Sequence, residues 1–174
     1  MDAFEAVSTK LDVREFGSKH VPGDVKRKIL EAARLTSSGM NSQHWRFILV
    51  QDRSNLKTLA AVSSTGKWVG GADFAIIILI DPKMGSVGSI DAGRVLQDME
   101  LAAWNFGVAS GVYVGLGEPS LRKAFAVPNE LKPAAVLGFG FPKRKLLGKK
   151  SRKPLEELVS VEKFGRMFEA SDLS

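Results

Sequence analysis

Lys150 and Arg152 stand two residues apart in "GKKSRKPLEE". In an extended segment, side chains two apart point the same way, so both cations can face one anion. Two earlier stretches carry complementary groups. "TKLDVREF" sets Lys10, Asp12 and Arg14 just past the first helical pattern, and "SSGMNSQHW" offers Ser37, Ser38, Asn41 and Gln43 where a helix gives way to a strand. Carboxamides supply both donors and acceptors. Each group also has a plainer reading: Lys10 and Arg14 as surface charge, Asn41 as an Asx turn.

Other chemistries fail on their residues. With no cysteine there is no disulfide, cysteine nucleophile, iron–sulfur cluster or zinc–cysteine site. His20 and His44 are the two histidines, too few and too far apart to propose a metal site. "GLGEPS" begins like a dinucleotide fingerprint, but Ser120 stands where the third glycine belongs. No phosphate-binding G-x-x-x-x-G-K-[ST], no G-x-S-x-G and no H-E-x-x-H is present. No residue is read as a catalytic acid, base or nucleophile. An enzyme with this sequence takes its reactive group from a cofactor.

The 174 residues fit one domain, 1–174, with a core of ordinary size. Hydrophobic residues are 44% and charged residues 25%, a globular composition. No apolar run reaches the roughly 20 residues of a membrane helix. The N-terminus has no signal-peptide core, which makes the cytoplasm the expected compartment. Net charge is +6, yet Lys143 to Lys153 holds seven basic residues and no acidic one, leaving the rest of the chain at −1. Such a run binds nucleic acid, an anionic cofactor or only water. Aromatics are 8%, and none interleaves the run to stack on bases, so no nucleic-acid partner is expected.

The elements that must position these groups read as follows. "DAFEAVSTK" is weakly helical, with Phe4 and Val7 on one face; Val25, Ile29 and Ala33 mark a stronger helix that Asp24 can cap. Trp45 to Val50 is a strand, Asp52 to Ser63 a helix with Leu56, Leu59 and Ala60 inward. "FAIIILI" suggests a strand buried on both faces, ended by Asp81-Pro82. Ile90 to Phe106 is a long helix, apolar or small nearly all round, and so central and tightly packed. "VYVGL" and "AAVLGFG" are strands separated by the helix "PSLRKAF". Alternating elements give an α/β or α+β sandwich with one main sheet.

In order, "KLDVREF", "SGMNSQHWRF", "DAGRVLQDMELAAWNFG", "LRKAFAVP", "KPAAVLGFGFP" and "KSRKPLEE" resemble the motif series of the nitroreductase-like flavoproteins. That series runs R-R-S-x-R-x-F, S-x-x-N-x-Q-P-W-x-F, D-x-G-x-x-x-Q-x-M-x-L-A-A-x-x-x-G, L-x-x-x-x-x-x-P, P-x-A-x-x-x-G-x-P and K-x-R-x-P-L-E-E. The resemblance extends from about Asp2 to Val159. It implies an α+β fold, a three-layer sandwich whose mainly antiparallel central sheet is flanked by helices, with FMN at the interface of an obligate homodimer. It places Lys10, Leu11 and Asp12 at the flavin phosphate and ribityl chain, with Arg14 beside them, and Lys150 and Arg152 as the phosphate clamp. Ser37, Ser38, Gly39 and Asn41, with Gln43, match the loop that reaches the partner subunit's flavin. Lys67 matches a basic residue near the pyrimidine edge, and Gly115 and Leu116 the strand end beside N5.

The implied activity is an FMN-dependent oxidoreductase. It would take reducing equivalents from NADH or NADPH and pass them, in a ping-pong sequence, to an electron-poor small molecule such as a nitroaromatic or quinone. The competing readings are a non-catalytic or deazaflavin-using protein of the same fold, and an anion- or nucleic-acid-binding module using Lys143–Lys153. Three positions depart from the motifs. Leu11 replaces a basic residue, His44 replaces a proline, and Asp12 replaces a serine, where its carboxylate repels a phosphate unless paired with Lys10 or Arg14. The tail, residues 160–174, carries Phe164, Met167 and Phe168 at one-turn spacing, a stripe expected to wrap the partner subunit or to fray on its own core.

Overall fold

The computed structural model describes residues 1–148 and 150–173; Lys149 of the basic run and Ser174 of the tail lie outside the described residues. The chain runs α1 (Ala3–Thr9), α2 (Gly23–Leu35), β1 (Arg46–Val50), α3 (Arg53–Ala61), β2 (Phe74–Ile80), α4 (Gly85–Asn105), β3 (Ala109–Tyr113), α5 (Glu118–Phe125) and β4 (Lys132–Gly140). The strands form one sheet in the order β1-β2-β4-β3, and every pairing is antiparallel. Of the two sandwich types left open by the element order, this is the α+β one.

Every residue of β2 is buried, and the period of two explains how. Phe74, Ile76, Ile78 and Ile80 enter the core with Ile29 and Ala33 of α2 and Val95, Met99 and Ala103 of α4. Ala75, Ile77 and Leu79 enter a second core with Leu56 and Leu59 of α3 and Leu121 of α5. One central sheet thus separates two helical layers, the three-layer sandwich expected. No helix among the described residues is long and apolar enough to cross a membrane.

Several local expectations change. Asp24 does not cap α2: the cap position is Pro22, and Asp24 sits in the first turn, 3.9 Å from Lys28. Helix α4 begins five residues before Ile90, and it is not enclosed all round, since Val87, Ile90, Gly93, Arg94 and Gln97 are exposed. Phe4 and Val7 of α1 are exposed too, while Ala6 turns inward. Strand β3 stops at Tyr113, so Val114 to Leu116 lie beyond it. Among its described residues the tail forms no α-helix: glycine at 165 and Glu162 take positive φ, Phe168 is buried, and Phe164 and Met167 point out. The one-turn spacing therefore never becomes a common face.

Candidate functional site

After α1 the chain joins the free edge of β3, where Asp12 bridges Ser110 in parallel and the Val13 N–H donates to the Ser110 carbonyl at 2.8 Å. That strip sets Lys10 against α4. Its Nζ lies 2.7 Å from Glu100 Oε1 and also donates to the Asp12 carboxylate. The Ser110 hydroxyl donates to the same Glu100 oxygen at 2.8 Å. Lys10 and Glu100 are both buried. Burying a lysine is costly unless it is paired, and Glu100 supplies that pairing. Asp12 thus pairs with Lys10, the condition under which its carboxylate is tolerable beside an anion; Arg14 instead lies over the Trp68 ring at 6.0 Å.

The late segment comes back to this edge. Lys150, Ser151 and Arg152 line a cleft of about 470 Å³ with Lys10, Leu11, Asp12, Gln97, Glu100 and Val112. Lys150 donates to the Val7 carbonyl, and an Arg152 nitrogen donates to the Ser151 carbonyl at 2.7 Å. Neither cation has a carboxylate partner among the described residues. Three cations face two carboxylates here, so the cleft retains a net positive charge. Two cations without a carboxylate partner beside a cleft, Arg152 exposed and Lys150 half-buried, are what a phosphate group fits.

Helix α4 extends the track. Gln97, Gly93 and Ser37 share a second hollow with Thr36, Arg94 and Asp98. A third, about 420 Å³ and mostly apolar, is bounded by Gly93, Leu96, Val114, Leu116 and Ala135. A Cβ added at Gly93 would meet nothing within 4 Å, and the residue lines both of these hollows. The clefts therefore run from cations at one end to apolar walls at the other, the polarity of a phosphorylated, ring-bearing cofactor.

The sequence-predicted residues divide accordingly. Lys10, Leu11, Asp12, Lys150 and Arg152 meet in one cleft, Ser37 lines the adjoining hollow, and Leu116 lines the apolar one. Arg14 faces a shallow groove on the other side of Leu11. The Gly115 carbonyl accepts from the Ser64 N–H and hydroxyl. Lys67 is exposed at the start of the 3-10 segment Lys67–Gly71 and lines none of these clefts. Ser38 and Asn41 are not wholly free: the Gln43 N–H donates to Ser38 Oγ at 3.0 Å, and Gln43 Nε2 donates to Asn41 Oδ1 at 3.2 Å. Those bonds leave the Asn41 NH₂ and the Gln43 side-chain oxygen exposed and without a partner among the described residues.

Sequence reasoning missed Gln97 and Glu100. With Gly93 they are spaced four and three apart, one face of a helix. Counting apolar residues around α4 hid that stripe.

A profile of the Nitroreductase family matches residues 8–67. Over 149 residues the chain is 30% identical to a Methanothermobacter thermautotrophicus protein provisionally named NADH dehydrogenase/NAD(P)H nitroreductase, covering 82% of this chain and 78% of that one. A nitroreductase family protein from Clostridium difficile 630 superposes with a TM-score of 0.80 at 25% identity, covering 94% of this chain and 99% of the other. An FMN-dependent nitroreductase from Clostridium difficile R20291 superposes at 0.82 with 22% identity, covering 89% and 96%.

Proposed function

Because the chain belongs to the nitroreductase family and is an oxidoreductase, we propose that it is an FMN-dependent enzyme using NADH or NADPH and an electron-poor acceptor such as a nitroaromatic or quinone. The observation that carries this reading is the pair of uncompensated cations, Lys150 and Arg152, beside the Lys10 cleft. A neighbour of the same fold is named as FMN-dependent. FMN, held by these residues, would supply the redox chemistry, a two-electron transfer from nicotinamide to acceptor in a ping-pong sequence.

The chain's own residues bind, orient and enclose. Lys150 and Arg152 hold the phosphate by charge-assisted bonds, with Lys10, already held by two carboxylates, adding positive potential from below. Leu11 and Asp12 border that end, and Arg14 adds positive charge from the groove beyond Leu11. Gly93, Leu96 and Leu116 offer an apolar seat, and Gly115, where a Cβ would meet the Ser64 and Thr65 hydroxyl oxygens at 2.6 Å, sets the course of the backbone into Leu116. The Asn41 NH₂ and the Gln43 oxygen form a donor–acceptor pair, complementary to the imide edge of a flavin. Ser37, Ser38 and Gly39 shape that loop, and Lys67 belongs to the site only across a subunit boundary. No side chain is assigned as acid or base.

The unit is a homodimer of single-domain subunits, residues 1–174. Leu35, Met40, Val87 and Ile90 are exposed by 67, 91, 39 and 59%, apolar area that a second subunit would cover. The tail, with Phe164 and Met167 outward, adds a second patch for the same partner.

Titrating colourless protein separately with FMN and with riboflavin, which lacks the phosphate, tests the assignment. FMN should bind at least about ten-fold tighter, a difference of roughly 1.4 kcal/mol. Equal affinity, or no uptake of either, would count against it.

A further inference from the structure

The loop at residues 38–43 is bent against its own preference. Met40, Asn41 and Gln43 take φ of 53°, 52° and 45°, the left-handed region that costs a non-glycine residue energy unless the surroundings hold it. Proline stands at position 44 in the motif this stretch resembles and would stiffen such a loop through its ring. Here position 44 is a buried histidine, so the loop takes its rigidity from elsewhere.

One carboxylate receives the loop. Asp91 of α4, only 1% exposed, accepts the Gly39 N–H at 2.9 Å through Oδ2. His44 Nε2 lies 3.3 Å from the same oxygen, and Arg94 reaches Oδ1 at 3.4 Å from the solvent side. The approach of Gly39 to α4 is close: a Cβ there would stand 2.7 Å from Val87 Cγ1. His44 Nδ1 is buried with no partner among the described residues, so Asp91 is the ring's sole polar tie.

We propose that Asp91 is a positioning residue, which holds the 38–43 loop in its left-handed shape through the Gly39 amide, and that His44 orients the carboxylate for this task. The purpose rests on the FMN reading above: a preformed loop presents Asn41 and Gln43 without first paying to order them. Asp91 and His44 are buried and Gly39 is half-buried, so water does not readily replace the carboxylate oxygen that they share. Arg94 is exposed enough to be dispensable.

Asp91→Asn keeps an acceptor oxygen and Asp91→Leu removes it, at similar volume. In the apo protein, hydrogen exchange at the Gly39 amide should accelerate about ten-fold or more in Asp91→Leu and stay within about three-fold of wild type in Asp91→Asn. FMN affinity, followed by flavin fluorescence, should fall about ten-fold in the first and hold in the second. His44→Leu should speed Gly39 exchange as well, and combining it with Asp91→Leu should add little. Wild-type exchange in Asp91→Leu, or equal damage from Asp91→Asn, overturns the inference. If wild type takes up no FMN, the cofactor reading fails, while the exchange data still decide the role of Asp91. Should Asp91→Leu fail to fold, His44→Leu decides, and unchanged Gly39 exchange there overturns the proposal.

Discussion

Lys10 and Glu100, ninety positions apart, meet with 2.7 Å between Nζ and Oε1 and little solvent around either side chain. The pair fastens the strip after α1 to the C-terminal third of α4, and it lines the cationic cleft. Because Lys10 answers two carboxylates, the positive charge offered to a ligand comes mainly from Lys150 and Arg152.

Removing one member of a buried pair leaves the other uncompensated. Glu100→Leu should destabilise the protein by roughly 3 kcal/mol, and Lys10→Met with Glu100→Leu should recover most of that loss. Urea unfolding of the three proteins checks it. A double variant no better than the single one would show that Lys10 is content with Asp12 alone.

Asp12 puts a negative charge at the rim of the cleft. Asp12→Ser should tighten FMN binding by about three- to ten-fold at low salt, and the gain should shrink as salt screens the rim. Titrations at two ionic strengths measure this. Unchanged affinity would mean that the phosphate lies beyond reach of that carboxylate.

Arg152 has the geometry of a phosphate fork, and Lys cannot copy two parallel bonds. Arg152→Ala should weaken FMN binding by about ten-fold or more and leave riboflavin binding unchanged, with Arg152→Lys in between. A loss shared equally by riboflavin would assign Arg152 to general stability.

Asp73 gives acid dependence to the fold. Burial disfavours its charge, but bonds from His20, Lys26 and the Val21 N–H outweigh it and hold its carboxyl below the usual 3.8. The folded state therefore prefers the ionised form. The resulting stability is complete above the unfolded value and is lost as pH falls through the lower, folded one. Urea midpoints from about pH 6 down to pH 2 should fall less steeply in Asp73→Asn than in wild type.

Tyr113 acts at the other extreme. Burial pushes its hydroxyl up to about 12 from 10.0, with the Ser63 hydroxyl opposing the shift. The neutral form is favoured on folding, so this contribution is intact below pH 10 and is lost as pH rises toward 12. Tyr113 is the only tyrosine, so the tyrosinate absorbance belongs to it alone. A rise near the ordinary value would mean that the ring is solvated in the folded protein.

Position in the chain was enough for some of this. The seven apolar residues of β2 announced a strand with a core on each face, since a two-residue period can fill two cores only if both sets are apolar. Lys150 and Arg152, and Lys10 with Asp12, could be paired in sequence because neighbours two apart in extended chain share a side. The family itself could be read from the order of its motifs.

Contacts between distant segments could not. That Lys10 answers Glu100 depends on where the edge of β3 meets α4, and no local spacing encodes it. That His44, at the position of the motif's proline, faces Asp91, 47 positions on, likewise depends on the fold. The tail failed in the opposite direction: Phe164, Met167 and Phe168 have helical spacing, but positive φ at Glu162 and Gly165 breaks the helix and turns Phe168 alone inward. Local pattern determined which segments are strand, helix and charged turn, because propensity and periodicity act over a few residues. Only the tertiary structure decided which charges are spent on each other and which remain for a ligand, because that depends on burial and distance across the fold.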